Sequence, residues 1–83
     1  MEIALNDGRG DNYIYFKLDK PSQIILHYWT FTEIYNVEFT DAQYKYLENL
    51  SEKDLQRKIL SLLCLGKLKT TLVKKEDYDL GKH

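Results

Sequence analysis

The sequence predicts an α+β domain: a winged helix, meaning three helices with a helix-turn-helix and a β-wing, preceded by a β-hairpin. Three observations lead to that reading. In Ser51 to Leu68 (SEKDLQRKILSLLCLGKL), the apolar residues Leu55, Ile59, Leu62 and Leu63 recur at helical spacing between a capping serine and Gly66. In Asn12 to Leu18, Tyr13, Tyr15 and Lys17 alternate with Ile14, Phe16 and Leu18, which is the period of a half-buried strand. Between these stretches, proline and polar punctuation divide the apolar residues into two further helix-length segments. The hairpin occupies residues 1–19, as part of a sheet subdomain, and the winged helix residues 20–83.

Taken in order, Glu2 to Leu5 and Asn12 to Leu18 are the strands of the hairpin, joined by NDGRGDN, whose Asp7-Gly8 and Gly10 tolerate the backbone angles of turns. Arg9-Gly10-Asp11 spells an adhesion tripeptide, and the need for turn residues accounts for it. Pro21 suits the first turn of a helix, so Ser22 to about Thr32 is expected as helix one, with Ile24, Ile25, Tyr28, Trp29 and Phe31 making contacts on two sides. His27 lies within it as a packing residue. Asn36 to Thr40 reads as a short extended piece, and Asp41 to Leu50 as helix two. The helix from Ser51 carries Lys53, Gln56, Arg57 and Ser61 on its other face, so it lies on the core, with Cys64 as a core thiol. Leu68 to Lys74 is the first wing strand, and a return strand would come from Asp77 to Leu80.

With 83 residues, 43% hydrophobic and 30% charged, the chain suits one small globular core, and its apolar runs are too short for lipid. A single cysteine excludes an internal disulfide, and MEIALNDGRG lacks the features of a secretory signal, so the chain is expected inside the cell. Neither glycine of the first loop belongs to a phosphate-cradling motif, and no nucleophile–base pair or metal-ligand spacing stands out. Glu76, Asp77, Asp79 and His83 read as a solvated tail. The chain is therefore expected to be no enzyme and to need no cofactor or metal.

Net charge is only -1, yet from Ser51 to Lys75 the residues Lys53, Arg57, Lys58, Lys67, Lys69, Lys74 and Lys75 face only Glu52 and Asp54, a surplus of five. This supports one functional alternative, a free-standing winged-helix DNA-binding domain. There Lys53, Gln56 and Arg57 would meet bases or phosphates from the recognition helix, and Lys67 and Lys69 would meet the backbone. Tyr13 and Tyr15 could stack bases, or pack against a neighbouring strand.

A family resemblance points elsewhere. The run DLQRKILSLLCLGKLKTTLVK, Asp54 to Lys74, resembles the corresponding stretch of cullins, the scaffolds of multisubunit ubiquitin ligases. Leu55, Arg57, Ile59, Ser61, Leu62, Cys64 and Gly66-Lys67 are similar to the family's pattern, with Leu65 as one extra residue. Pro21-Ser22-Gln23 followed by Ile24 to Tyr28 is loosely similar to the family's preceding helix, and Phe39-Thr40 to the start of the next, although His27, Tyr28 and Trp29 stand where the family is leucine-rich. The resemblance implies a divergent member, covering the end of the cullin α/β sheet subdomain and its first winged-helix subdomain. It further implies a noncatalytic scaffold fragment, in nucleus or cytoplasm, that helps hold the RING-recruiting end of a ligase. Its partners would be a RING-box-type subunit, docked by β-augmentation, and neighbouring cullin subdomains. The acceptor lysine for a ubiquitin-like modifier belongs to a later subdomain of the family. Under this reading Tyr13, Ile14, Tyr15, Phe16 and Trp29 meet partners or subdomains, while Leu55, Ile59, Leu62 and Leu63 form the core.

Overall fold

Period-two alternation extends well beyond the hairpin and organises the whole molecule. The computed structural model describes residues 1–6 and 12–78. Its elements are β1 (Glu2–Ala4), β2 (Tyr13–Lys17), β3 (Ser22–His27), β4 (Phe31–Glu38), α1 (Asp41–Glu48), α2 (Glu52–Cys64) and β5 (Lys69–Asp77). The five strands form one antiparallel sheet in chain order, β1-β2-β3-β4-β5, with both helices inserted between the last two strands. The adhesion tripeptide, most of the first loop and the end of the expected return strand lie outside the described residues, but Asp77, expected to begin that return, instead closes β5 and pairs with Phe31, so no wing turn separates it from Lys74.

The register sorts side chains onto two faces, because directly opposed residues share a face. One row runs Ile3, Phe16, Ile24, Tyr35 and Leu72 across all five strands. This is the helix side: Leu55 and Ile59 of α2 and Leu47 of α1 join Ile3, Leu5, Phe16, Leu18, Ile24 and Val37 in one buried cluster. Phe16, Leu55 and Ile59 are sealed from solvent completely. Each contributes about 1.5–3 kcal/mol through burial.

The helices begin and end as the sequence dictates. Thr40 caps α1 in a reciprocal box: its hydroxyl accepts from the Gln43 amide at 3.1 Å, and its own amide donates to Gln43 Oε1 at 2.8 Å. The Ser51 hydroxyl accepts from the Asp54 amide at 3.2 Å at the start of α2. At the other end Gly66 takes a φ of +66°, while its amide donates to Leu63 and that of Lys67 to Leu62, which satisfies two carbonyls of the last turn.

The expected helix one is a correction. Ser22–His27 is strand β3, the middle of the sheet, and the chain turns at Trp29-Thr30 into β4, so the described residues carry two helices rather than three. A central strand sees side chains on both faces, and Ile24 enters the core while Ile25 points the opposite way. The result is the continuous apolar run that imitated a wide helical face. Pro21 stands just before β3 after a cis Lys20-Pro21 bond, and the Ser22 hydroxyl donates to the Leu18 carbonyl at 3.1 Å, closing the turn between β2 and β3. The boundary drawn after residue 19 therefore falls between two paired strands. The short piece expected from Asn36 is the end of the eight-residue β4.

Three core expectations also change. Cys64 is exposed, and Leu63 is 39% exposed because it borders an open cleft with Ile24, Leu26 and Tyr35 instead of being sealed against them. Leu62 is half-buried, while Leu55 and Ile59 hold the core as expected.

Candidate functional site

Among the described residues, no helix lies on the second face of the sheet. Its middle row runs Ala4, Tyr15, Ile25, Ile34 and Lys74, flanked by Glu2, Lys17, Gln23, Asn36 and Thr71 on one side and by Tyr13, His27, Thr32 and Glu76 on the other. Aromatic and hydroxyl groups meet at the Tyr13 end. The rings of Tyr13 and Tyr15, two residues apart on β2, lie 7° from parallel with centroids 6.3 Å apart, and Tyr15 meets His27 of β3 edge-on at 6.0 Å. His27 Nδ1 is 3.0 Å from Thr32 Oγ1 of β4, and the Tyr78 hydroxyl, just past β5, bonds to the same oxygen. A contiguous polar and aromatic surface thus joins β2, β3, β4 and the residue after β5.

That placement corrects His27, which is exposed rather than packed inside. It also separates the residues expected at an interface. Tyr13 and Tyr15 stand on the open face, with Tyr13 43% exposed, and Trp29 is 66% exposed at the turn two residues beyond His27. Ile14 and Phe16 belong to the opposite face; Phe16 is fully buried and Ile14 packs against the core, so both serve this domain's own interior. His27, Thr32 and Tyr78 were missed as members of the site. The signal that would find them is the pairing of β3 with β4, but its turn at Trp29-Thr30 lacks the Asn-Gly or Asp-Gly chemistry that marks tight hairpins.

The sheet has two edges. β1 is three residues long, whereas β5 offers nine exposed residues, Lys69–Asp77, which among the described residues pair with β4 on one side only. Its lysines are engaged with carboxylates: Lys69 with Glu38 at 3.1 Å, Lys74 with Glu76 at 3.9 Å and Lys75 with Glu33 at 4.0 Å. The first two pairs are solvated and contribute little to stability, whereas the Glu33 side chain is only 16% exposed; lysines also discourage an edge from pairing with copies of itself.

The residues expected to touch DNA fall into two separate clefts. Lys53 and Gln56 border Glu2, Ile3 and Ala4 at β1, with Gln56 Nε2 donating to the Ala4 carbonyl at 3.0 Å. Lys67 and Lys69, beyond the far end of α2, border Glu38 and Thr40 in a groove of about 720 Å³. Arg57 is exposed on α2.

Among the described residues, no group of three His, Cys, Asp or Glu side chains is placed to hold a metal ion, and no helix is long and apolar enough to cross a membrane. No family model matches the chain, and neither a curated protein nor a solved structure matches it.

Proposed function

We propose that this chain is a noncatalytic protein-binding scaffold module that accepts a strand of its partner along the edge of β5. Its setting is the one the cullin resemblance implied, the RING-recruiting end of an intracellular ubiquitin ligase. The observation that carries the reading is the nine-residue exposed edge of β5 on a five-stranded sheet. Backbone N–H and C=O groups along such an edge supply affinity to any extended segment, and side chains select which one. Because the pairs with Glu38 and Glu76 are worth little and that with Glu33 is stretched to 4.0 Å, Lys69, Lys74 and Lys75 exchange them for the carboxylates of an acidic strand. The stretch carrying the resemblance, Asp54 to Lys74, supplies most of α2, the Gly66 stop and the first part of this edge. A RING-box-type subunit is the partner under this reading, and catalysis belongs to that partner's side of the complex.

The test uses the purified chain and a purified RING-box-type subunit, measured by calorimetry and light scattering. A one-to-one complex is expected, weakened about tenfold or more, that is by at least 1.4 kcal/mol, in the double variant Lys74→Glu, Lys75→Glu. Absence of a complex at high micromolar concentrations would overturn the scaffold reading. Duplex DNA serves as the comparison: tight, salt-sensitive binding lost on Arg57→Ala would transfer the function to nucleic acid.

A further inference from the structure

The two sides of β5 differ in chemistry. Pairing with β4 places Lys69, Thr71 and Lys74 on the open side of the sheet, and Thr70, Leu72 and Lys75 on the helix side. On the helix side Leu72 stands opposite Tyr35 and is 46% exposed. Tyr35 also walls a cleft of about 310 Å³, which it shares with Leu63 of α2, Ile24 and Leu26, and which reaches β5 at Thr70. Two incompletely covered leucines, Leu63 and Leu72, thus flank a space lined mostly by hydrocarbon, beside the edge of the sheet.

We infer, on the reading that β5 accepts a strand, that the accepted segment carries two apolar residues separated by one other, with carboxylates at both ends of that triplet. Residues of an added strand share a side with the β5 residues they oppose. Those opposite Thr70 and Leu72 therefore face the helix side, where Thr70 is small enough for a long side chain to lean over it into the cleft. Filling that space takes apolar surface of Leu63 and Leu72 out of water. The residues opposite Lys69, Lys74 and Lys75 are the carboxylates, because opposite charges on neighbouring strands attract and like charges repel.

The combination excludes simpler segments. A wholly acidic strand sets a carboxylate against Leu72 and the mouth of the cleft, where it loses water and gains no partner. A wholly apolar strand strips water from the lysines and returns no charge to them. Only alternation through the middle, with acids outside it, suits both sides of β5 at once.

The probes are two synthetic, end-blocked peptides of one composition, Glu-Glu-Thr-Leu-Thr-Leu-Glu and Glu-Glu-Thr-Thr-Leu-Leu-Glu, each also made in reverse order because strands pair in either direction. The adjacent leucines of the second point to opposite sides of the sheet. Each peptide is titrated into the whole chain and followed by chemical shifts. Saturable binding of the alternating peptide is expected in one of its two directions, about tenfold tighter than the other composition. The shifts are expected along residues 69–75 and at Leu63, Ile24 and Tyr35. Leu63→Ser alters neither the backbone nor the lysines of β5 and should abolish the tenfold preference, whereas Tyr46→Ser on α1 should keep it. Should Leu63→Ser fail to fold by circular dichroism, the shifts on the unaltered chain decide, and their confinement to residues 69–75 would overturn the inference. So would equal affinity for the two compositions, a preference that survives Leu63→Ser, or no binding of either at millimolar concentration. If the RING-box-type subunit binds while the peptides show no preference, this inference falls and the scaffold reading stands. If the preference is found and the subunit does not bind, the ligase setting falls and the edge keeps its selectivity.

Discussion

Gln56 and Ala4 are 52 residues apart in the chain, yet the side-chain amide of one donates to the backbone carbonyl of the other at 3.0 Å. The bond ties the second turn of α2 to the short edge strand β1, whose own ladder spans only three residues. Gln56→Ala removes the donor at a site open to solvent, where water replaces part of the bond. The expected loss is about 0.5–1.5 kcal/mol in urea unfolding, with faster amide exchange in β1. Unchanged exchange in Glu2–Ala4 would show that the bond does not anchor the strand.

Leu55 and Leu63 share a helix but not an environment: Leu55 is sealed and Leu63 is 39% exposed. Leu55→Ala should cost about 2–5 kcal/mol, the range for emptying a buried leucine site. Leu63→Ala should cost less than about 1 kcal/mol. Chemical denaturation of both variants measures the difference, and a larger loss at Leu63 would relocate the core toward the end of α2.

Tyr35 has its phenol pKa raised above the ordinary 10.0, first by burial, then by the hydrogen bond it donates to Glu33 Oε1 at 3.1 Å and by the charge of that carboxylate. The folded state therefore holds this proton more tightly than the unfolded chain does. Its contribution to stability is complete below the ordinary tyrosine pKa and is lost as pH rises through the higher folded value. Removing the hydroxyl by Tyr35→Phe should leave a shallower fall of the urea midpoint with pH above about 10 than in the unaltered chain. Superimposable alkaline profiles would exclude the linkage.

Much of the architecture was legible where a single period governs a segment. α2 was readable because Leu55 and Ile59 repeat at helical spacing between Ser51 and Gly66, and each cap then forms the bonds its residue type favours. β2 was readable because its tyrosines and its buried Phe16 alternate strictly. β3 was not, because Ile24, Ile25 and Leu26 occupy a strand with neighbours on both edges, and a run of apolar residues there looks the same as the broad side of a helix. Pro21 reinforced the helical reading, since proline begins strands and helices alike. The β-branched and aromatic content of Ile24 to Val37 was the signal that favours strands. The open face was half legible: Tyr13 and Tyr15 stood out, whereas His27, Thr32 and Tyr78 reach them only through tertiary pairing.

β5 carries one residue more than β4 needs. Ile34 pairs with Lys74 and Tyr35 with Leu72, which leaves Val73 without an opposite number. The extra residue resets the alternation, so that Lys74 and Glu76 emerge beside Ile34 and Thr32, while Lys75 and Asp77 turn to the helix side with Glu33 and Phe31. A ladder with that irregularity ironed out would set Val73 against Ile34 and exchange the sides of all four charged residues that follow. Tyr78 would move one place along with them, away from Thr32. Which atoms the uncovered half of the molecule offers to its surroundings is thus decided by the phase of a strand at its margin, one step of a two-beat rhythm, as much as by the tyrosines at its centre.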